Sequence, residues 1–471
     1  MMKRLMQSLF LSITLLLGMT AISYSPQLES QAKAKGNYKK ARVLSSKAAK
    51  IITKVVEALE RLDEEGKEDP DFITVRALLT EMELNKDSFK SYDRSVMYNY
   101  WGYLYFNDED YDSAMRSYEL LLNEPEVTLP LRTASLYTLA QLYFVKENYQ
   151  KGIELILTWM DEVENVTAQS YSLLAQAYFQ TSKYQKSLDS MLEAIRLAEE
   201  VEGYRPKENW YVLTAACYSE LKDLKIMSEN ESLIKQRDVY EILVNYYPKK
   251  LYFLQLGGIY GQMNREVDYM ITLKAAFEQD LLDKEAEYLA LAQLLLLNKN
   301  PYWAAQVLVS GQNKRVIVKN EDTDEEELKP VVKDNEKNLK LLADAWRIAQ
   351  ETEKAIPVLE KAAQLSKEGE TYILLGNLYL VEDKLESAIK AIDAGIKKGS
   401  LKNPSQARLV LGQAYFELEN FDEAKKQFRI AARNEDKKVK KTANSWIKYA
   451  ENEEIRVKNL NLRREYIEKN S

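Results

Sequence analysis

Apolar and aromatic positions along this chain follow a helical period and keep returning to one arrangement. The strings Leu139-Ala140-Gln141-Leu142-Tyr143-Phe144, Leu174-Ala175-Gln176-Ala177-Tyr178-Phe179 and Leu411-Gly412-Gln413-Ala414-Tyr415-Phe416 are near copies of one another. With the small residue as marker, the series runs Gly102, Ala140, Ala175, Ala215, Gly257, Ala292, Ala343, Gly376, Gly412. The interval is about 33 to 42 residues, with one longer step after Ala292. Large residues stand four before, one before and three after each marker, as in Tyr98, Trp101 and Tyr105 or Tyr372, Leu375 and Tyr379. That spacing lays a stripe along one face of a helix. Twelve residues after the marker comes another small residue, as Ala114, Gly152, Ser187, Ala304, Ala355, Ala388 and Ala424, with a large apolar one four further on. A second helix packed closely against the first is expected. Two positions depart from the pattern, Tyr269 at the small second-helix site and Arg408 at an apolar first-helix site.

Outside the regular series, Leu28 to Leu62 and Asp71 to Asn85 read as helices, split by Asp63-Glu64-Glu65-Gly66 and the stop at Asp69-Pro70. Extra residues lie around Leu224 to Ser232, with Pro248 closing the helix beyond them, and a longer insertion runs from Asn313 to Asp334. Its acidic run, Glu321 to Glu327, is expected to be a solvated loop that splits the array. Val439 to Tyr466 reads as a helix with Trp446, Ile447 and Tyr449 on its apolar stripe, suited to closing the array. The expected organisation is therefore 1–23 leader, 24–94 degenerate first repeat, 95–312 six clear repeats, 313–334 acidic loop, 335–434 three repeats and 435–471 capping helix.

Composition narrows the chemistry. Gly 15 and Pro 10 in 471 residues leave little turn-forming material for strands. With His 0 there is no imidazole for Ser-His-Asp or Cys-His catalysis or for a metal ligand. Cys217 is the one cysteine, so no disulfide closes within the chain, and its setting in Ala215-Ala216-Cys217-Tyr218 predicts a buried thiol without chemistry. The glycines of Gly257-Gly258-Ile259-Tyr260-Gly261 fall inside the helical pattern with no strand before them, which excludes a phosphate loop. No enzyme activity, cofactor or metal is expected. Net charge is -7, and removing Lys3 and Arg4 with a leader makes it more negative, so nucleic acid and anionic lipid are not expected partners. Lys3 and Arg4, the apolar run from Leu5 to Met19 and small residues Ala21 and Ser23 predict a secretory leader cleaved near Ser23 or Ser25. The rival, an uncleaved anchor, fits less well because Gln7, Ser8, Ser12 and Thr14 interrupt a run already shorter than the about 20 residues of a spanning helix.

Between about Ser95 and Asn434 the repeat resembles the tetratricopeptide repeat, a helix-turn-helix of about 34 residues. The resemblance implies an all-α, right-handed α-solenoid of about nine such repeats, with N-terminal helices and a C-terminal capping helix. It also implies that first helices line the concave side, where residues three before, one after and four after the marker share a face. The candidate partner-binding groove is then Asn99, Tyr103, Phe106, Tyr137, Gln141, Phe144, Gln176, Phe179, Gln293, Asn377, Gln413 and Phe416. Amides suit an extended peptide backbone and phenylalanines its apolar side chains. The alternative is that the same residues brace neighbouring repeats.

The strings Ser95 to Tyr111, Leu136 to Tyr149, Glu208 to Tyr218, Tyr246 to Gln262 and Pro301 to Val309, taken in order, resemble exported repeat proteins described as components of TonB energy-transduction systems. That resemblance implies a periplasmic scaffold partnered with TonB, ExbB and ExbD in outer-membrane siderophore or haem uptake. A general periplasmic scaffold for envelope or outer-membrane assembly is the alternative.

Overall fold

A computed structural model describes residues 42–63, 65–201, 203–319, 326–433 and 436–470. The expected leader and the start of the first expected helix lie outside them. The described residues are helical apart from one two-stranded hairpin and an isolated bridge between Leu62 and Glu68. The chain divides into two compact units between Tyr247 and Pro248, rather than at the acidic insertion.

In the first unit, α1 (Ser46–Leu59) and α2 (Phe72–Leu84) are followed by four further pairs. These are α3 (Ser91–Asn107) with α4 (Tyr111–Leu122), α5 (Leu129–Val145) with α6 (Tyr149–Glu162), α7 (Ala168–Gln180) with α8 (Tyr184–Glu199), and α9 (Glu208–Asp223) with α10 (Glu229–Tyr246). The second unit pairs α11 (Lys250–Gln262) with α12 (Glu266–Glu278) and α13 (Glu285–Leu297) with α14 (Pro301–Asn313). After the hairpin, β1 (Arg315–Lys319) and β2 (Glu326–Pro330), come α15 (Glu336–Ile348) with α16 (Thr352–Leu365), α17 (Glu370–Val381) with α18 (Leu385–Lys398), α19 (Pro404–Glu417) with α20 (Phe421–Ala431), and the long α21 (Lys437–Asn470). The fold is an all-α solenoid of helix-turn-helix repeats.

Most of the hairpin turns are made the same way. The residue seven after the marker takes a left-handed conformation, as Glu109, Glu147, Ser182, Asn264, Lys299, Gln350, Asp383 and Glu419, and none of these is glycine. In the first of them the Glu109 N–H donates to Phe106 O at 3.0 Å and the Asp110 N–H to Tyr105 O at 2.9 Å. Those bonds satisfy the carbonyls left open at the end of α3 and turn the chain back. Asp110 and Asn148 then cap the next helix, accepting from Ser113 N and Lys151 N.

Packing within a pair follows from the two small sites. The residue sixteen after the marker is buried in eight repeats, as Tyr118, Ile156, Met191, Leu273, Leu308, Leu359, Ile392 and Phe428. A β-carbon on Gly102 would lie 2.7 Å from the Tyr118 ring, and one on Gly412 would lie 2.5 Å from Phe428, so the missing methyl is what admits the ring. Burying each of these side chains contributes about 1.5–3 kcal/mol. The departure at Tyr269 is accommodated in the same manner: its ring lies over Gly257, 2.8 Å from where a β-carbon would be, and reaches Gly261. Arg408 donates to Gln427 Oε1 at 2.8 Å, which pairs the polar atom that an apolar site would otherwise strand.

The insertion between α14 and α15 carries two strands that the sequence reading did not expect, while Glu321 to Glu325 of the expected acidic loop lie outside the described residues. Arg315 to Lys319 pairs antiparallel with Glu326 to Pro330, Ile317 opposite Leu328. Val316, Ile317 and Val318 are β-branched and favour a pleated strand, and the base is fastened where Val332, 1% exposed, packs on Gly311 and Tyr288. At the far end, α21 buries Ala443 and Ala450 and stacks Trp446 on Phe428, with ring centroids 5.5 Å apart.

Candidate functional site

In the first unit the first helices α7 and α9 meet directly, and in the second unit α17 and α19 do. The face they share carries three rows, set by the positions three before, one after and four after the marker.

In the first unit the row three before the marker holds Asn99, Tyr137 and Ser172. Asn99 is 7% exposed and its Oδ1 has no hydrogen-bond partner; Ser172 is fully buried and its Oγ also has none. Tyr137 packs against Trp159 at 4.8 Å between centroids, and burial raises its hydroxyl above the ordinary tyrosine value although a hydrogen bond with Ser170 works the other way. Ser172 is absent from the groove expected from the sequence, although it occupies the same register as Asn99 and Tyr137.

The row one after the marker holds Tyr103, Gln141 and Gln176, all half-buried. The amides of Gln141 and Gln176 make no side-chain hydrogen bond to another described residue. The Tyr103 hydroxyl is raised by burial and then by the nearby Glu68 charge.

The row four after the marker does not line an open groove. Phe106 packs on Tyr111 at 5.8 Å, Phe144 on Tyr149 at 6.4 Å and Phe179 on Tyr184 at 5.1 Å, each ring meeting the aromatic that begins the following helix. Phe144 is 8% exposed and lies over Gly152, where a β-carbon would come within 2.3 Å of it. These rings brace their own hairpins, so Phe144 in particular offers no surface to a ligand.

The same rows in the second unit are less regular. Gln293 and Asn377 are exposed and Gln413 half-buried, again without a side-chain hydrogen bond to a described residue. At Gly258 a β-carbon would meet nothing within 4 Å, while Asp344 and Arg347 pair with each other at 3.3 Å. Phe416 is covered by the capping helix: its ring meets Trp446 at 5.6 Å and Tyr449 at 5.1 Å, besides Phe421 at 5.6 Å. It closes the array instead of extending the face.

Cys217 is fully buried, its Sγ donating to Ser187 Oγ at 3.3 Å while that hydroxyl donates to the Ala175 carbonyl at 2.7 Å. Burial pushes the thiol up to about 12, so it is protonated and serves to tie α7, α8 and α9 together. The three rows of the first unit contain no carboxylate, lysine or arginine across α3, α5 and α7. They offer hydrogen-bonding groups and aromatic edges without net charge.

Residues 107–194 match a family model described as anaphase-promoting complex, cyclosome, subunit 3, and residues 373–437 match one described as tetratricopeptide repeat. Neither describes a catalytic family. Similar solved structures include MamA, 21% identical over 39% of this chain and 97% of that one, with a TM-score of 0.31. YrrB, described as a TPR protein with an unusual peptide-binding site, is 14% identical over 44% of this chain and 96% of its own, at 0.33. The TPR2AB domain of yeast Sti1 in complex with pHSP90 is 13% identical over 61% and 98%, at 0.31. No curated protein sequence matches the chain.

Proposed function

Because this chain is a tetratricopeptide-repeat protein, a scaffold for protein–protein contacts, we propose that the inner rows of its first unit hold an extended segment of a partner polypeptide. The observation that carries this reading is the set of unused hydrogen-bonding groups on one face. Gln141 and Gln176 lie half-buried in one row, their amides without a side-chain hydrogen bond to another described residue, and Tyr103 extends the row. An extended segment presents such donors and acceptors along its length, and its contacts need no charge.

The partner and compartment are read from the amino-terminal residues and from the order of sequence strings. The leader-like start, Lys3 and Arg4 before an apolar run, supports export. No helix among the described residues is long and apolar enough to cross a membrane. We therefore place the protein in the periplasm as an accessory of a TonB–ExbB–ExbD system serving siderophore or haem uptake, where TonB supplies a long extended polypeptide. The second reading, a general scaffold for envelope or outer-membrane assembly, has the same fold and the same face.

Affinity capture from solubilised envelopes tests both levels. The wild-type chain is expected to recover TonB, ExbB or ExbD, and Gln141→Ala with Gln176→Ala is expected to lower recovery about tenfold, at about 0.5–1.5 kcal/mol per lost hydrogen bond, with unchanged helical circular dichroism. Undiminished capture by the double variant removes the face from the mechanism. Recovery of outer-membrane assembly proteins in place of the TonB system selects the second reading.

A further inference from the structure

Helix α2 carries an exposed stripe that no described residue of its own unit covers. Ile73 is 85% exposed and Leu84 82%, and Ala77 and Thr80 between them are at the surface too. They border a shallow concavity of about 730 Å³. Large apolar side chains held in water along one helix face mark an interaction surface, and the other faces of α2 are accounted for by Val75, Leu79 and Met82, which are fully buried.

The stripe has a symmetry that identifies its partner. Its steps are four, three and four residues, so it is the same read from either end, and its members run large, small, small, large: Ile73, Ala77, Thr80, Leu84. When α2 meets α2 of a second copy in antiparallel fashion, Ile73 faces Leu84 and Ala77 faces Thr80. The small central pair lets the helices approach, and the large ends fill the space beside it. The flanks agree. A two-fold axis across the pair brings each flank against the same flank of the other copy. One flank carries Arg76 and Glu83, seven residues apart, so Arg76 of each copy lies beside Glu83 of the other. On the opposite flank Thr74 of each copy lies beside Glu81 of the other. Both Glu81 and Glu83 are exposed. Arg76 already reaches Asp108 of its own chain in an exposed ion pair, which contributes little and leaves the guanidinium free to share.

We infer that α2 is a self-association surface, pairing antiparallel with α2 of a second copy of this chain through Ile73, Ala77, Thr80 and Leu84. One helix face lies below the area of a permanent dimer, which sets the association in the weak, reversible class. The inference is independent of what the inner rows of the first helices bind.

Sedimentation equilibrium of the full-length chain from about 1 to 500 µM tests it, a span chosen for association of that class. A concentration-dependent dimer is expected. Ile73→Glu with Leu84→Glu is expected to abolish it, because four carboxylates then face one another across the axis. Glu83→Arg is expected to weaken it at least about tenfold by setting arginine against Arg76 twice. These side chains are exposed, so helical content and melting temperature are expected to hold in every variant. A chain that stays monomeric across the range, or a dimer indifferent to Ile73→Glu with Leu84→Glu, overturns the inference, whatever else then covers the stripe. A dimer lost in that variant but unmoved by Glu83→Arg overturns the antiparallel pairing.

Discussion

At the scale of single residues, the marker and the side chain sixteen positions later exchange volume. Gly102 and Gly412 stand under the rings of Tyr118 and Phe428, whereas Ala140, Ala175, Ala292 and Ala343 precede Ile156, Met191, Leu308 and Leu359. Gly376 with Ile392 and Gly257 with Leu273 are aliphatic cases on a glycine, and at Gly257 the space is taken by the Tyr269 ring instead. The pairing makes Gly412→Ala an overpacking change, expected to cost about 1–3 kcal/mol although alanine is the commoner marker in this same chain. Phe428→Leu in the same molecule is expected to recover at least about 0.5 kcal/mol of that, measured as the coupling in a double-mutant cycle by urea unfolding. Strict additivity would mean that the two sites do not share volume. Both small sites and the large residue are visible as a spacing in the sequence. The burial of Asn99 and Ser172 is not, because a one-helix period says which face a residue is on and nothing about how deeply neighbouring helices cover it.

At the scale of elements, the turns hold the information that was easiest to overlook. Most first helices end on a left-handed residue seven after the marker, yet that residue is Glu, Ser, Asn, Lys, Gln or Asp, so the usual glycine signal is missing. A side chain in that conformation costs about 1–2 kcal/mol, partly offset against glycine by the freedom glycine has in the unfolded chain. Glu147, exposed at φ 59°, is the site to test. Glu147→Gly is expected to stabilise the protein by about 0.5–1 kcal/mol, read as a higher urea midpoint at constant slope. Destabilisation would show that the side chain contributes something the backbone geometry does not require. The hairpin at 315–330 escaped notice for a different reason: a strand is settled by its partner, and the acidic residues between Lys319 and Glu326 suggested solvent before Val316 to Val318 could suggest pairing. The phenylalanines four after the marker were legible as a row, but their braces, the aromatics five residues further on, belong to another helix.

At the scale of the whole molecule, the protonation inventory is unusual. The chain has no histidine, and burial raises its one cysteine, Cys217, to about 12, so the two side chains that ordinarily titrate between the carboxylates and the tyrosines do not do so here. Several tyrosines are raised further by burial first and nearby carboxylates second. Tyr143 beside Glu119, Tyr211 beside Glu199 and Tyr379 beside Glu360 each reach about 12, and Tyr288 does so beside Asp280. A phenol whose value is higher folded than unfolded stabilises the fold fully below the unfolded value near 10, and that contribution is lost as pH climbs toward 12. The melting temperature is therefore expected to be nearly level from about pH 6 to 9 and to fall steeply above about 10, with tyrosinate absorbance lagging the free amino acid until unfolding releases it. A step near pH 6.5 in the melting profile would contradict this account.

The substitution at Tyr269 bears on how interchangeable the repeats are. Its ring needs Gly257, where a β-carbon would come within 2.8 Å, so α12 can be inherited or engineered only along with α11. Grafted behind any alanine-marked helix, it would meet a methyl group where its ring must lie. A chimaera that shuffles whole repeats keeps this joint intact, whereas one that shuffles single helices breaks it.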